Sequence, residues 1–348
     1  MMCTVVVGLV MLTPSQPQRP SQTNARLIDA SADLPSTLQE PQVLDALDLV
    51  AMTDGELDRF DPLLLNLIVG SGLPGQKRTI EEYVRVVDEW GERLRAALGA
   101  AELQAAESPL YVENPDLWRT GSMAVALAGP SIGITYTDAD VDNGRPEQLF
   151  AWGLIDSKEG TCATMPVLYL AIAHRLGWPL KGVVGNDHMW CRWDDGMTRF
   201  NLEATSAESD GSTGSFVSVS DEDYARDLGL HELGKAYGAD LASLSNRQLL
   251  GVFLQHRAGY WWAHKDWERA EEDLLLARSC FPESRDIFQF LVMAMGRRAE
   301  LAFTLEERRV MAARLLPPAR ASTRLEQMPP NQVRQEMQRL NQRSRNNE

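Results

Sequence analysis

The sequence is poor in cysteine and histidine: its 348 residues include only four of the first and five of the second. Four cysteines are too few to form a disulfide framework for a chain of this length. Five histidines leave few side chains for acid–base catalysis at neutral pH or for a metal site. Chemistry that depends on either residue type is therefore confined to a short list of positions.

Basic side chains are also scarce, with 34 lysines and arginines against 49 aspartates and glutamates, so the formal net charge is −15. A nucleic-acid-binding protein needs a basic surface, and we therefore predict no nucleic-acid partner. No apolar run reaches the roughly 18 residues of a membrane-spanning helix, so we predict no stable membrane span. Apolar residues still make up 44% of the chain, which is enough for a globular core in more than one module.

The N-terminal segment 1–44 combines an apolar stretch, Met1–Leu12, with a linker rich in Pro, Gln and Ser. The apolar stretch resembles the central part of a signal peptide, and Ala30-Ser31-Ala32 offers a cleavage sequence. A buried strand and a misplaced start codon are the alternatives, because no Lys or Arg precedes the apolar run and the first is Arg19. The sequence leaves a cytoplasmic and an exported location equally open.

Hydrophobic periodicity divides the remaining chain into four parts. Thr79 and Glu82 have the spacing of a capping box, which predicts that a long helix begins there. We predict an N-terminal helical region at 45–111, a mixed core of helices and strands at 112–219, a helical region at 220–317 and a polar tail at 318–348.

Two helices are predicted in the C-terminal region, at Asn246–Ala263 and Trp267–Cys280. The second has the small, large, small and aromatic–proline positions that are typical of the second helix of a tetratricopeptide repeat. These positions are Ala270, Leu274, Ala277 and Phe281-Pro282. The segment holds fewer repeats than the roughly three that a free-standing solenoid needs, so we expect it to pack on the preceding part of the chain.

Cys162 comes just before Met165–Leu176, a segment that is apolar nearly all round and predicts a buried helix. A thiol at the N-terminus of a helix meets free backbone N–H groups and the positive end of the helix dipole, which favour the thiolate. Gly160 is expected to allow a tight turn that presents the sulfur. The position fits a nucleophile, and a small buried hydrophobic residue is the alternative.

His188 and Glu203 lie on two predicted strands, 188–193 and 199–205, which are separated by the turn sequence Asp195-Gly196. A two-residue loop places His188 directly opposite Glu203 on one face of the sheet. A carboxylate next to an imidazole fixes its tautomer and raises its basicity, as a general base requires. A core histidine and a solvent-exposed glutamate are the alternatives.

A zinc site and a calcium loop are the two metal-binding alternatives. The zinc set would be Cys162, His174, His188 and Cys191. His188 and Cys191 are three residues apart on a predicted strand, so they point to opposite faces. The calcium loop would be Asp138, Asp140, Asp142, Asn143 and Gly144, but its glycine comes one place late and Leu149 occupies the twelfth position. We therefore predict neither a metal nor a cofactor.

Four short motifs together resemble the transglutaminase-like superfamily, in particular bacterial members with a tetratricopeptide-like C-terminal region. They are Gly160-Thr161-Cys162, Leu176-Gly177-Trp178-Pro179, His188-Met189-Trp190 and Asn201-Leu202-Glu203-Ala204-Thr205. The resemblance implies a papain-like α+β fold, in which a helix bearing the cysteine packs on an antiparallel sheet, with helical regions on either side. It also implies that Cys162 is the nucleophile, His188 the general base and Glu203 the acid that orients it.

The residues that would hold the oxyanion are less well defined by the sequence. The backbone N–H of Cys162 is the expected first donor. The second donor is left open between Gln148, Trp152 and a loop amide. Trp190 and Arg192 share the strand face of His188 and are candidates for the wall of a substrate cleft.

Two functions follow from these residues and from the resemblance. The first is a cysteine-dependent acyl-transfer enzyme, an amidase, peptidase or transglutaminase-like enzyme, that acts on a protein or peptide through a Cys-His-Glu triad and a thioester. Water is the expected acceptor, because nothing in the sequence marks a site for an amine. The alternative is a non-catalytic scaffold of the same fold that binds a partner protein through its C-terminal helices.

Overall fold

The structure is a computed structural model that describes residues 44–137, 141–205 and 219–301. The predicted N-terminal apolar stretch, nearly all of its linker, the polar tail at 318–348, and Asp138 and Asp140 of the possible calcium loop lie outside these described residues. Helices and two small sheets make up the described part, which agrees with the predicted α+β class. None of the described helices has the length and apolar character needed to cross a membrane.

The N-terminal part is helical, as predicted. Its helices are α1 (Ala46–Ala51), α2 (Asp54–Leu57), α3 (Pro62–Val69), α4 (Ile80–Ala105), α5 (Pro109–Glu113) and α6 (Pro115–Ala128). The predicted capping box is confirmed, because the Thr79 side chain accepts from Glu82 N–H and the Glu82 side chain accepts from Thr79 N–H. One face of α4 then buries Tyr83, Val87 and Trp90.

The middle of the chain forms two sheets around one helix. The elements are β1 (Thr135–Tyr136), α7 (Ala151–Ser157), β2 (Glu159–Gly160), α8 (Met165–Leu176), β3 (Leu180–Gly185), β4 (His188–Asp194) and β5 (Arg199–Leu202). Strands β1 and β2 pair in parallel, and the other three form an antiparallel sheet in the order β3-β4-β5. Helix α8 has the predicted bounds and is buried over most of its length. It ends at Gly177, whose positive φ of 74° favours glycine.

The register between β4 and β5 differs from the predicted one by two residues. Arg192 lies opposite Asn201 and Asp194 opposite Arg199, so the predicted direct pair of His188 with Glu203 is wrong. The loop is longer than expected because the Asp195 carboxylate accepts from Met197 N–H at 2.8 Å and from Thr198 N–H at 2.6 Å. Side chains alternate along a strand, so a slip of two residues leaves each of them on its predicted face.

The turn between β3 and β4 places His188 at the end of its strand. Asn186 and Asp187 both have positive φ, 43° and 62°, and Gly185 pairs with His188 across the turn. This is the conformation of a two-residue hairpin loop, in which Asn and Asp are common. His188 is therefore the first residue after a tight and well-defined turn.

The C-terminal part is again helical and packs on the rest of the chain. Its helices are α9 (Asp221–Asp227), α10 (Glu232–Ala236), α11 (Asn246–Ala263), α12 (Trp267–Cys280) and α13 (Arg285–Leu301). The predicted bounds of α11 and α12 are confirmed. The Arg257 side chain on α11 donates to Val69 O on α3 at 3.1 Å, and a Cβ on Gly182 of β3 would lie 2.8 Å from Leu249. Helix α11 thus packs on both the N-terminal helices and the antiparallel sheet.

One hydrophobic cluster runs through all three parts, from Ala46 on α1 to Met295 on α13. A smaller cluster of Val183, Trp190 and Tyr224 lies on the other face of the antiparallel sheet. The predicted domain boundaries stay predictions, since contacts of this kind do not divide a chain into domains.

Deleting residues 246–348 removes α11, α12 and α13 and is expected to leave the protein insoluble or without cooperative unfolding. Helix α11 alone buries Leu249, Leu250, Phe253 and Leu254. At about 2 kcal/mol each, their burial is comparable to the whole stability of a typical protein, roughly 5–15 kcal/mol. Solubility and thermal unfolding followed by circular dichroism test this.

The matched control is a shorter deletion, of residues 318–348, which removes only the predicted polar tail and should leave the unfolding transition in place. A soluble 1–245 fragment with a cooperative transition would show that the C-terminal helices are not needed for folding.

Candidate active site

Cys162 lies in the turn between β2 and α8, three residues before the helix begins. The Thr161 carbonyl accepts from Met165 N–H at 2.9 Å, so the turn already has the hydrogen-bond pattern of the helix. Thr161 is itself fixed, because its hydroxyl donates to Gln148 O at 2.7 Å and its N–H donates to the Thr164 hydroxyl at 2.9 Å. The backbone N–H of Cys162 has no hydrogen-bond partner among the described residues, so it is available to an oxyanion.

Gly160 is required for a different reason than the predicted one. It lies in strand β2 and does not have a positive φ. A Cβ at this position would lie 2.5 Å from Met165 Sδ and 2.7 Å from Leu154 Cδ1, so any other residue would force these two buried side chains to move. Glycine therefore lets the strand before Cys162 pack closely against Leu154 of α7 and Met165 of α8.

His188 and Glu203 are in direct contact, although they are not opposite each other in the ladder. His188 Nε2 lies 3.0 Å from Glu203 Oε2. The other carboxylate oxygen, Oε1, accepts from Thr205 N–H at 3.0 Å and from the Thr205 hydroxyl at 2.7 Å. Tyr224 donates its hydroxyl to Oε2 at 2.6 Å. These bonds hold the carboxylate in one orientation against the imidazole.

The charges of this pair shift both pKa values. Burial acts to lower the pKa of His188, but hydrogen bonds to Cys162 and Glu203 and the charges of both residues outweigh it and raise the pKa to about 9. Burial acts to raise the pKa of Glu203, but the bond and charge of His188, with the bonds from Thr205 and Tyr224, hold it below its ordinary value. The ring is therefore protonated at neutral pH and faces the carboxylate on one side.

The Cys162 side chain also acts on the His188 ring, since it contributes to the raised pKa of that ring. Because Nε2 is bonded to Glu203, Nδ1 is the ring nitrogen that remains for a second partner. In general, a protonated imidazole beside a thiol favours the thiolate, and a carboxylate behind the ring stabilises the imidazolium. Cys162, His188 and Glu203 are therefore neighbours in an order that is suited to nucleophilic catalysis.

Tyr224 is a residue of this site that the sequence analysis missed. Its ring stacks on Trp190, with centroids 4.0 Å apart and an interplanar angle of 13°. Trp190 in turn stacks on the His188 ring at 5.9 Å and 21°. Tyr224 belongs to α9, which is attached to the sheet by an ion pair between Asp221 and Arg192. No spacing rule connects Glu203 with a tyrosine 21 residues farther along the chain.

The side chains that were predicted for the second oxyanion donor and for the cleft wall do not line the cavity next to Cys162. Trp152 and Trp190 are 1% and 0% exposed, which does not agree with direct contact to a substrate. Arg192 is also fully buried; it donates to Asn201 Oδ1 at 2.8 Å and to Leu241 O at 2.6 Å, so it is a structural residue. Gln148 does not line the cavity, and its side-chain oxygen accepts from Asp142 N–H at 2.8 Å.

The four residues of the possible zinc set are not brought together. Cys191 is buried against Pro166, with its sulfur 3.5 Å from the Pro166 carbonyl, and His174 lies in the last turn of α8. No group of three or more His, Cys, Asp or Glu side chains in residues 44–137, 141–205 and 219–301 is arranged to hold a metal ion.

Cys162 and His188 open on a cavity of about 600 Å³. One wall is formed by the turn that contains Asn186 and Asp187. The C-terminal helices form another part of the lining, to which α11 contributes Gln255, His256 and Trp262 and α13 contributes Arg285, Asp286 and Phe290. Cys162 is therefore accessible to a small molecule or to a segment of a peptide.

Comparison with known protein families gives a match over the middle of the chain. Residues 134–254 match the family model of the transglutaminase-like superfamily. The matched segment contains Cys162, His188 and Glu203 and ends within α11. No curated protein matches the chain, and no solved structure matches it.

The raised pKa of His188 can be measured directly by an NMR titration of the histidine rings. His188 is expected to stay protonated up to a pH of about 9, whereas burial lowers the pKa of His256 to about 4. Glu203→Gln removes a negative charge next to the ring, so the His188 midpoint should move down by about one unit or more. His256 is the internal control and should not move. A His188 midpoint near 6.5 in the unmodified protein would contradict this electrostatic description.

Proposed function

We propose that this protein is a cysteine-dependent acyl-transfer enzyme with a transglutaminase-like domain, in which Cys162, His188 and Glu203 act as the catalytic triad. The match of residues 134–254 to the transglutaminase-like superfamily supports this class of enzyme. The observation that carries the proposal is geometric: Glu203 is bonded to the His188 ring at 3.0 Å, and His188 and Cys162 line the same cavity.

The first half of the reaction forms a thioester. The Cys162 thiolate attacks the carbonyl carbon of an amide, and the negative charge moves to the carbonyl oxygen, where the backbone N–H of Cys162 can donate a hydrogen bond. When the tetrahedral intermediate collapses, the C–N bond breaks and His188 gives its proton to the leaving amine. The products are the free amine and an acyl group bonded to the Cys162 sulfur.

The second half releases the acyl group. His188, now neutral, takes a proton from a water molecule as that water attacks the thioester carbonyl. Collapse of the second intermediate expels the Cys162 thiolate, releases a carboxylic acid and leaves His188 protonated, as at the start. Glu203 stays ionised throughout and orients the ring. We propose water as the acceptor, which makes the enzyme an amidase or peptidase.

The finer features of the fold belong to the same proposal. The position of Cys162 before α8, next to an antiparallel sheet that carries His188, supports a papain-like arrangement. The small and large residues of α12, Ala270, Leu274 and Ala277, are fully buried, as they are in a tetratricopeptide helix.

The rate of thiol alkylation tests the role of Cys162 without knowledge of the substrate. Iodoacetamide labelling followed by mass spectrometry should modify Cys162 at least about tenfold faster than Cys191 or Cys280, which are both buried. Exposure alone explains part of this difference. His188→Ala should lower the rate at Cys162 by about tenfold or more, because the imidazolium that stabilises the thiolate is lost.

His174→Ala is the matched control, because His174 lies at the far end of α8, and labelling of Cys162 should be unchanged. A rate at Cys162 that does not depend on His188 would indicate an inert scaffold rather than an enzyme.

A further inference from the structure

The C-terminal helices are part of the cavity that contains Cys162, not only a support for it. On α11 the lining residues Val252, His256 and Gly259 are spaced by three or four positions, so they form one stripe along the helix. On α13 the lining residues Asp286, Gln289 and Phe290 follow the same spacing. Two helix faces therefore line the same cavity as the catalytic side chains, and a molecule that fills this cavity contacts them.

The stripe on α13 is charged at its N-terminal end and apolar farther along. Arg285 and Asp286 begin the helix, and Phe290 and Met293 line the cavity one to two turns later. Phe290 packs edge-to-face on Trp262 of α11, with ring centroids 5.4 Å apart. The cavity thus has a charged end and an aromatic end. This arrangement suits a peptide segment in which a charged side chain is followed by an apolar one.

The charged end lies next to the catalytic turn. Asp187, the residue directly before His188, lines the cavity together with Asp286, and the charge of Asp187 acts on the Asp286 carboxyl. A carboxylate on α13 therefore lies in the same cavity as the catalytic ring.

The charge around Asp286 is negative overall. Burial and the charges of Asp187 and Asp240 raise the pKa of Asp286 to about 6, while Arg285 opposes this. Two carboxylates, Asp187 and Asp286, therefore line this end of the cavity with one guanidinium, and the charge of Asp240 acts on Asp286 from outside the lining. Since a pKa of about 6 still leaves Asp286 ionised at neutral pH, a cation entering the cavity would be attracted and an anion repelled.

We propose that Asp286 is a specificity-determining residue that binds a cationic group of the substrate, an ammonium or guanidinium, beside Cys162 and His188. The substrate class is a peptide with a basic side chain or a free N-terminus close to the amide that is cleaved, and with an apolar side chain for the aromatic end. This inference rests on the proposed function, because it assigns a substrate to the same site.

Thiol reagents of different charge test the proposal without a known substrate. The probes are 2-aminoethyl, methyl and 2-sulfonatoethyl methanethiosulfonate, which are cationic, neutral and anionic, and the readout is the rate of modification at Cys162 by mass spectrometry. The full chain is compared with Asp286→Asn, which removes the negative charge and leaves the size of the side chain nearly unchanged. Glu283→Gln removes an exposed carboxylate just before the same helix, outside the cavity lining, and is the matched control.

The ratio of the cationic to the anionic rate is expected to fall by about fivefold or more in Asp286→Asn and to stay unchanged in Glu283→Gln. The rate with the neutral reagent should change by less than about twofold, since the Cys162–His188 pair is intact. A ratio that does not change in Asp286→Asn overturns this inference and leaves the proposed function untouched. If the neutral reagent modifies Cys162 equally fast in the wild-type protein and in His188→Ala, the proposed function is contradicted instead.

Discussion

The hydrogen bond between Glu203 and His188 is the contact on which the geometry of this site depends. A carboxylate that is largely buried is costly unless it is paired, by several kcal/mol. Here the pairing uses three partners from different places: His188 on β4, Thr205 in the segment that follows β5 and Tyr224 on α9. The need to satisfy one buried charge therefore fixes a strand end, a loop and a helix relative to each other, and it leaves the imidazole facing the Cys162 thiol.

The C-terminal helices lie between the hydrophobic cluster and the cavity, and this position gives them two roles. Helix α11 fills the hydrophobic cluster between α3 and the antiparallel sheet, and its neighbouring face lines the cavity in front of Cys162. Helix α13 begins near the turn before His188, where Asp286 and Asp187 line the same cavity. The packing of the helices and the shape of the cavity are thus coupled in this chain, and changes in the helical packing should affect the cavity.

Local features of the sequence predicted local structure well. Helices α8, α11 and α12 begin and end at the predicted residues, because apolar periodicity and end signals such as Gly177 determine them. The strand register was wrong by two residues because the Asp195 side chain stabilises a longer loop than the Asp195-Gly196 sequence suggests. The burial of Trp190 and the contact of Tyr224 with Glu203 could not be predicted, since both depend on where α9 docks. The same holds for the cavity wall, which is formed by residues about 100 positions after Cys162.

The most direct measurement of the central claim is detection of an acyl group on the Cys162 sulfur. The protein would be mixed with an activated ester such as 4-nitrophenyl acetate, quenched in acid and analysed by mass spectrometry, with release of 4-nitrophenolate followed in parallel. We predict a rapid burst of nitrophenolate and an acetyl thioester on Cys162 that then hydrolyses. Both should be lost in Cys162→Ala. Acetylation of Cys162 no faster than that of a cysteine in a free peptide of the same local sequence would contradict it.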